Sequence, residues 1–356
     1  MGEAMRILSF LRFQLDHVIR NYFVSGAVWR TNMAVGESVD KLVSKRTPRL
    51  APATFHPGRT ILAVGRNRIF RMNPTAATST LTQAEKGKRF QELHARPGAF
   101  VIPNPWDAGT ARILTALGFE ALTTTSAGLA YALGRRDGEG AISRAETLAN
   151  AKAIADATHL PVAADLENGF GDSPEAAAET IRLAGETAGL VGGSIEDATG
   201  DAAKPIYDFQ LAVERVAAAA QAARALPYPF VLVGRAENFL HGRPDLDDTL
   251  RRLQAFEAAG ADALYAPGLT TAEQIRVVCT AVKKPVNFIM GLKNAHFTVT
   301  ELAALGVRRI SVGSALARVA LGAFYRAAQE IRDHGTFEFA QQALPFADAN
   351  EFMTRR

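Results

Sequence analysis

From Phe100 onward the chain repeats one unit eight times: a short apolar or β-branched run, then a longer stretch with helical periodicity. The strand candidates are FVIPNPW near 100, EALTTTSA near 120, PVAADLE near 161, GLVGGSIED near 189, FVLVGRAEN near 230, ALYAPG near 263, PVNFIM near 285 and RISVGSA near 309. The clearest helices between them are SRAETLANAKAIADAT, SPEAAAETIRLAGET, DFQLAVERVAAAAQAARAL, DLDDTLRRLQAFEAAG and TTAEQIRVVCTAV, with Ser173, Asp245 and Thr270 as expected N-caps. Eight βα units in ~230 residues predict a closed parallel barrel, the (β/α)₈ TIM barrel. A doubly wound open sheet is the competing architecture. It usually carries a Gly-rich turn after its first strand, whereas NPWDAGTAR has no G-x-G-x-x-G.

The ends of the chain read differently. Residues 1–71 hold 12 Lys/Arg against 4 Asp/Glu, and the remainder holds 28 against 32. The body is therefore mildly acidic and excludes a nucleic-acid footprint. No apolar run reaches the ~18 residues of a membrane span. The domain reading is an extension over 1–80, a barrel over 81–335, and a tail over 336–356 that packs on the barrel or on a neighbouring subunit. The basic extension reads as a membrane-surface segment or as upstream translated sequence with Met72 the natural start, ahead of an organelle leader. The single cysteine, Cys279, lies in an apolar helical pattern and reads as a core residue.

In a barrel of this kind chemistry sits at the C-terminal ends of the strands. Polar residues concentrate there: Asp165 and Glu167 at strand three, Glu196 and Asp197 at strand four, Arg235, Glu237 and Asn238 at strand five, and Asp137 in the loop after strand two. Residues i and i+2 of a strand share a face, so Asp165 and Glu167 are expected to point together into the barrel mouth beside Glu196. Crowded carboxylates repel, and a hard divalent cation, Mg²⁺ or alternatively Mn²⁺, relieves that. Arg235 either grips an anionic substrate or pairs with Glu196 or Glu237. Ser126 and Gly128, in a small-residue loop, can offer backbone N–H groups to an anion.

The ordered set NPWDAGTARI, TTSAGLA…GRRDG, AADLENGFG, GSIEDATG and VGRAENF resembles the isocitrate lyase/phosphoenolpyruvate mutase superfamily over about residues 85–330. The resemblance implies a cytoplasmic Mg²⁺-dependent enzyme acting on a 2-oxo acid or phosphonate. It also implies a homo-dimer or homo-tetramer that exchanges its eighth helix. It places Asp165 as the direct metal ligand, Glu167 and Glu196 as holders of metal-bound water, and Asp137 as the acid after strand two. Ser126, Ala127 and Gly128 fall at the loop holding the substrate carboxylate, Arg235 at the arginine facing the ligand, and Asn287 at a polar substrate contact. The Cys- and His-bearing segment of the true lyases is replaced by ATGDAAKPIYD, which has neither. The expected reaction is cleavage of a C–C or P–C bond through an enolate, with Lys204 or Tyr207 supplying a proton. Mutase or phosphonopyruvate hydrolase chemistry is the alternative. Two further readings are a phosphate site at Gly313–Ser314 and a barrel kept only as a binding module.

Overall fold

The computed structural model describes residues 81–292 and 296–354. The expectations for the basic extension lie outside them, as does part of the MGLKNAHF loop.

Eight parallel strands form a nearly closed barrel: β1 (Phe100–Ile102), β2 (Leu122–Thr123), β3 (Val162–Asp165), β4 (Gly192–Glu196), β5 (Val231–Arg235), β6 (Ala263–Tyr265), β7 (Val286–Ile289) and β8 (Arg309–Ser311). Pairing runs in chain order from β2 to β8, and β8 returns to β1. The seam between β1 and β2 is held by the Thr123 N–H, which donates to the Pro103 carbonyl at 3.1 Å. Buried Asn104 pins the same corner. Its Oδ1 accepts from the amides of Val312 and Gly313, both at 2.9 Å, and its Nδ2 donates to the Thr124 carbonyl at 2.9 Å. One amide side chain thus ties together the ends of β8, β1 and β2.

Helix α1 (Gln83–Ala95) precedes the barrel and closes its lower end with Phe90, which is fully buried. The floor is cut to fit. A Cβ on Gly192 would sit 2.6 Å from the Phe90 ring. The outer layer is α2 (Ala108–Ala116), the short α3 (Ser126–Ala132), α4 (Arg144–Asp156), α5 (Pro174–Ala188), α6 (Phe209–Ala225), α7 (Leu246–Ala258), α8 (Ala272–Ala281) and α9 (Val299–Ala304). Their apolar stripes, such as Ala177, Ile181 and Ala184 of α5, pack on the sheet and form one continuous core with it. Ser173 and Asp245 cap α5 and α7 as expected. The α8 cap is Thr271, not Thr270, because only from Thr271 does the hydroxyl reach the Gln274 amide while Gln274 reaches back.

Helix α10 (Ala315–His334) behaves unlike the others. Only Ala317 is buried, and Val319, Phe324 and Tyr325 are exposed. A 3₁₀ turn (Glu338–Gln342) leads to α11 (Phe346–Thr354), which packs against α2. There the Arg112 guanidinium donates to the Met353 carbonyl.

Candidate active site

The last residues of β3, β4 and β5 are Asp165, Glu196 and Arg235. Parallel register sets Glu196 beside Arg235. The buried guanidinium stands at the centre of the mouth, 2.8 Å from Asp165 Oδ1, 3.1 Å from Glu196 Oε2 and 2.9 Å from Glu237 Oε1. It also lies 5.0 Å from the centre of the Tyr265 ring. Both pairings considered for Arg235 are therefore present, and Asp165 is a third partner. Asp165 Oδ2 accepts from Ser126 Oγ at 3.0 Å and from the Ser126 amide at 3.4 Å.

Glu167 reaches the mouth by a route the strand pattern misses. Strand β3 ends at Asp165, and Glu167 has left-handed backbone, φ 48°. The turn delivers its carboxylate, not the pleat. Phe170, three residues on, is also left-handed at φ 58°. These are the two non-glycine residues with positive φ among the described residues, and both line the same cavity.

Charge balance is the physical signature of the site. Five carboxylates, of Asp137, Asp165, Glu167, Glu196 and Glu237, surround one guanidinium, that of Arg235. Burial, then the charges of Asp165 and Asp137, pushes the Glu167 carboxyl up to about 7 despite Arg235. Burial likewise raises Glu196 well above the usual carboxylate range, with Glu237, Asp165 and Glu167 adding to it against Arg235. Asp137 is raised by burial and by Asp165, opposed by a hydrogen bond with Ser126. Such a surplus of hard oxygen donors suits a hard divalent cation, so the residues present fit Mg²⁺. Among the described residues no three acids already close round one point, because Arg235 lies between them.

Beneath the mouth lies a second buried network. The Glu237 amide donates to Asp197 Oδ1 at 2.8 Å, and Arg252 of α7 pairs with Asp197 Oδ2 at 3.0 Å. Arg252 also donates to the Tyr207 carbonyl at 3.0 Å and to Asp248 at 2.8 Å. It thereby locks the ends of β4 and β5 to the loop between β4 and α6.

That loop forms a short hairpin with a bridge between Ala198 and Ile206. Its suggested proton donors do not line the cavity. The Tyr207 hydroxyl donates to Asp172 at 2.6 Å and accepts from Asn168 at 3.1 Å. Burial and Asp172 push it up to about 12. Lys204 is exposed and pairs with Asp208 at 2.6 Å. The small-residue loop also differs from expectation. It coils at once into α3, the Gly128 amide donates to the Thr125 hydroxyl at 3.2 Å, and Ala127 and Gly128 are buried below the cavity wall. Gly128 is required for packing, since a Cβ would lie 2.9 Å from Trp106 Cβ. Asn287 points to Ser311 Oγ at 3.1 Å inside the barrel, away from the cavity lining. The Gly313 amide is engaged by Asn104, which removes it from the suggested phosphate site. Glu237 is the residue that the sequence reading noticed without assigning to the site; its signal is the i, i+2 spacing from Arg235.

Ser126, Asp137, Glu167, Glu196, Arg235 and Glu237 share one cavity of about 1080 Å³ that opens at the strand ends. Its polar lining sets one guanidinium, that of Arg235, against a surplus of carboxylates.

The family model for phosphoenolpyruvate phosphomutase matches residues 90–332. A protein of Burkholderia cenocepacia J2315, whose crystal structure is described provisionally as that of a lyase/mutase, is 59% identical. That match covers 77% of this chain and 97% of the other, with a TM-score of 0.74. An uncharacterized protein of Mycobacterium tuberculosis (strain ATCC 25618/H37Rv) is 31% identical over 73% of this chain and 93% of its own. An oxaloacetate acetylhydrolase, solved with its product oxalate, is 26% identical over 75% of this chain and 94% of its own, with a TM-score of 0.68.

Proposed function

The chain belongs to the phosphoenolpyruvate phosphomutase family, within the isocitrate lyase/phosphoenolpyruvate mutase superfamily of lyases and mutases, and from that premise we propose that it cleaves a C–C bond in a small 2-oxo acid with the help of Mg²⁺. The observation that carries this reading is the surplus of buried carboxylates around Arg235 at the strand ends. Asp165, Glu167 and Glu196 would hold the ion, Asp165 directly and the others through its waters. When bound, Mg²⁺ supplies Lewis acidity toward the carboxylate and 2-oxo oxygens of the substrate.

The chain's own residues do the rest. Arg235 is preorganised by three carboxylates, so it need not reorient as negative charge develops on an enolate oxygen. Ser126 orients Asp165. Glu167, delivered by its left-handed backbone, presents its carboxylate to the same cavity. The oxaloacetate acetylhydrolase with oxalate in its site supports a small dicarboxylate or oxo acid as the ligand type. The test is a screen of 2-oxo acids and phosphonates for pyruvate release with and without Mg²⁺, with oxalate as competitor. Turnover that is indifferent to chelation, or to Asp165→Ala, would remove this reading.

The exposed apolar face of α10 supports a homo-oligomer in which that helix docks on a second copy. Light scattering on Val319→Asp/Phe324→Asp should show a smaller species than the parent.

A further inference from the structure

We propose that the substrate carries a terminal carboxylate at the end of an apolar chain, and that Arg144 binds it. This inference rests on the metal–oxo acid reading and names its substrate class. The cavity, about 1080 Å³, slightly exceeds the roughly 300–1,000 Å³ range that houses drug-sized ligands, far beyond what a four-carbon acid fills. Beside the charged groups of the mouth its lining includes apolar Ile142, Leu148, Phe170 and Leu183, and Arg144 belongs to the same lining.

Arg144 is the first helical residue of α4, where the helix dipole disfavours a cation. Its neighbours are neutralised: Arg135 pairs with Glu146 at 2.8 Å, and Arg182 with Glu179 at 2.8 Å. Arg144 forms no such pair among the described residues. Its one hydrogen bond is a long one, 3.5 Å to the Phe170 carbonyl, and its buried Nε has no acceptor. The nearest acid in sequence, Glu146, is engaged by the Ser143 amide and hydroxyl at 2.9 and 2.7 Å. The Phe170 backbone that receives Arg144 is itself held in the left-handed region. A guanidinium placed against its helix dipole, half-buried, in direct contact with no carboxylate and sharing Glu179 only at longer range with Arg182, on the wall of a large cavity, is matched by a ligand carboxylate. The apolar side chains of the same lining are matched by methylene groups.

The experiment is calorimetric titration of the full-length protein with Mg²⁺ present. Oxalate probes the mouth, and length-matched pairs probe the wall: 2-oxoglutarate against 2-oxovalerate, and 2-oxoadipate against 2-oxohexanoate. The expected result is that at least one terminal dicarboxylate binds about tenfold or more tighter than its uncharged match, the worth of one charge-assisted hydrogen bond. Arg144→Gln should erase that preference while still binding oxalate, and Arg144→Lys should restore part of it. Oxalate binding with no preference in either pair, or a preference that survives in Arg144→Gln, overturns the inference alone. Failure of the parent protein to bind oxalate overturns the metal–oxo acid reading, and this inference with it.

Discussion

Two arginines, Arg235 at the end of β5 and Arg252 on the following helix α7, organise buried carboxylates, with different charge balance. Around Arg235 the acids outnumber the cation, and Glu167 is driven up to about 7 by burial and by its fellow acids. Around Arg252 each acid has charged or amide donors: Asp197 is still raised by burial, against the Glu237 amide and Arg252. Burial pushes Asp248 up, but hydrogen bonds from Arg252, Asn238 and Arg251 outweigh it and bring it down to about 2. Residue types alone do not separate the two clusters, since each sets a buried arginine against carboxylates from strand ends or an adjoining helix. Charge balance does. A network that satisfies itself is scaffold, and a network that leaves carboxylates in excess requires something from outside.

The largest expected break in this contrast is functional. Asp165→Asn should cost about a thousandfold or more in turnover, while thermal unfolding shows no loss of stability, because it removes one member of a repelling set. A clear drop in melting temperature would move the Arg235 cluster into the scaffold class. The reciprocal change is Arg252→Ala. It strands Asp197 without its cation at a fully buried position and should cost about 3–5 kcal/mol of stability by chemical denaturation. Loss of activity in Arg252→Ala without loss of stability would instead make Arg252 part of the site.

The pH dependence should have opposite signs at Glu167 and at Asp248. The folded Glu167 carboxyl keeps its proton up to about 7, whereas an unfolded one releases it near 4.5. Protein stripped of divalent ions should therefore lose stability as pH rises from about 4.5 to about 7, on the order of 2 kcal/mol. Saturating Mg²⁺ should flatten that slope. Asp248 acts the other way: its contribution is present above the unfolded value of 3.8 and is lost as pH falls toward about 2. Carboxyl titration by NMR checks both directions, and a Glu167 midpoint near 4.5 in the metal-free protein would break the comparison.

The sequence carried the barrel well because strand and helix periods are local, and the repeat leaves no other place for eight βα units. The acids at the strand ends were legible for the same reason. What was not legible depends on where the chain stops being periodic. Glu167 lies past the end of β3, so alternation named the right residue through the wrong geometry. The small residues at 126–128 suit an open anion loop and a helix start equally; Thr125 capping decides for the helix. Tyr207 near the active loop looked like an acid catalyst, and nothing local reveals that Asp172 and Asn168, some 35 residues away in sequence, engage its hydroxyl. Asn104 was passed over because its role exists only once β8 has returned to β1.

The smallest effect tests whether the loop after β3 is strained for the sake of the site. Phe170 sits at φ 58°, a region that costs a side-chain-bearing residue roughly 1–2 kcal/mol, and it lines the cavity on the side of Arg144. Glycine relieves that cost but frees the unfolded chain, which returns roughly 0.4–1 kcal/mol. Removing a half-buried ring loses some packing as well. Phe170→Gly should consequently leave stability within about 1 kcal/mol of the parent in urea unfolding, where truncation of a relaxed, buried phenylalanine costs about 3–5 kcal/mol. The same substitution opens the apolar wall and should weaken binding of the longer 2-oxo acids more than that of oxalate. A stability loss near the full truncation value would show that the ring is held for packing, and that the backbone strain serves the scaffold.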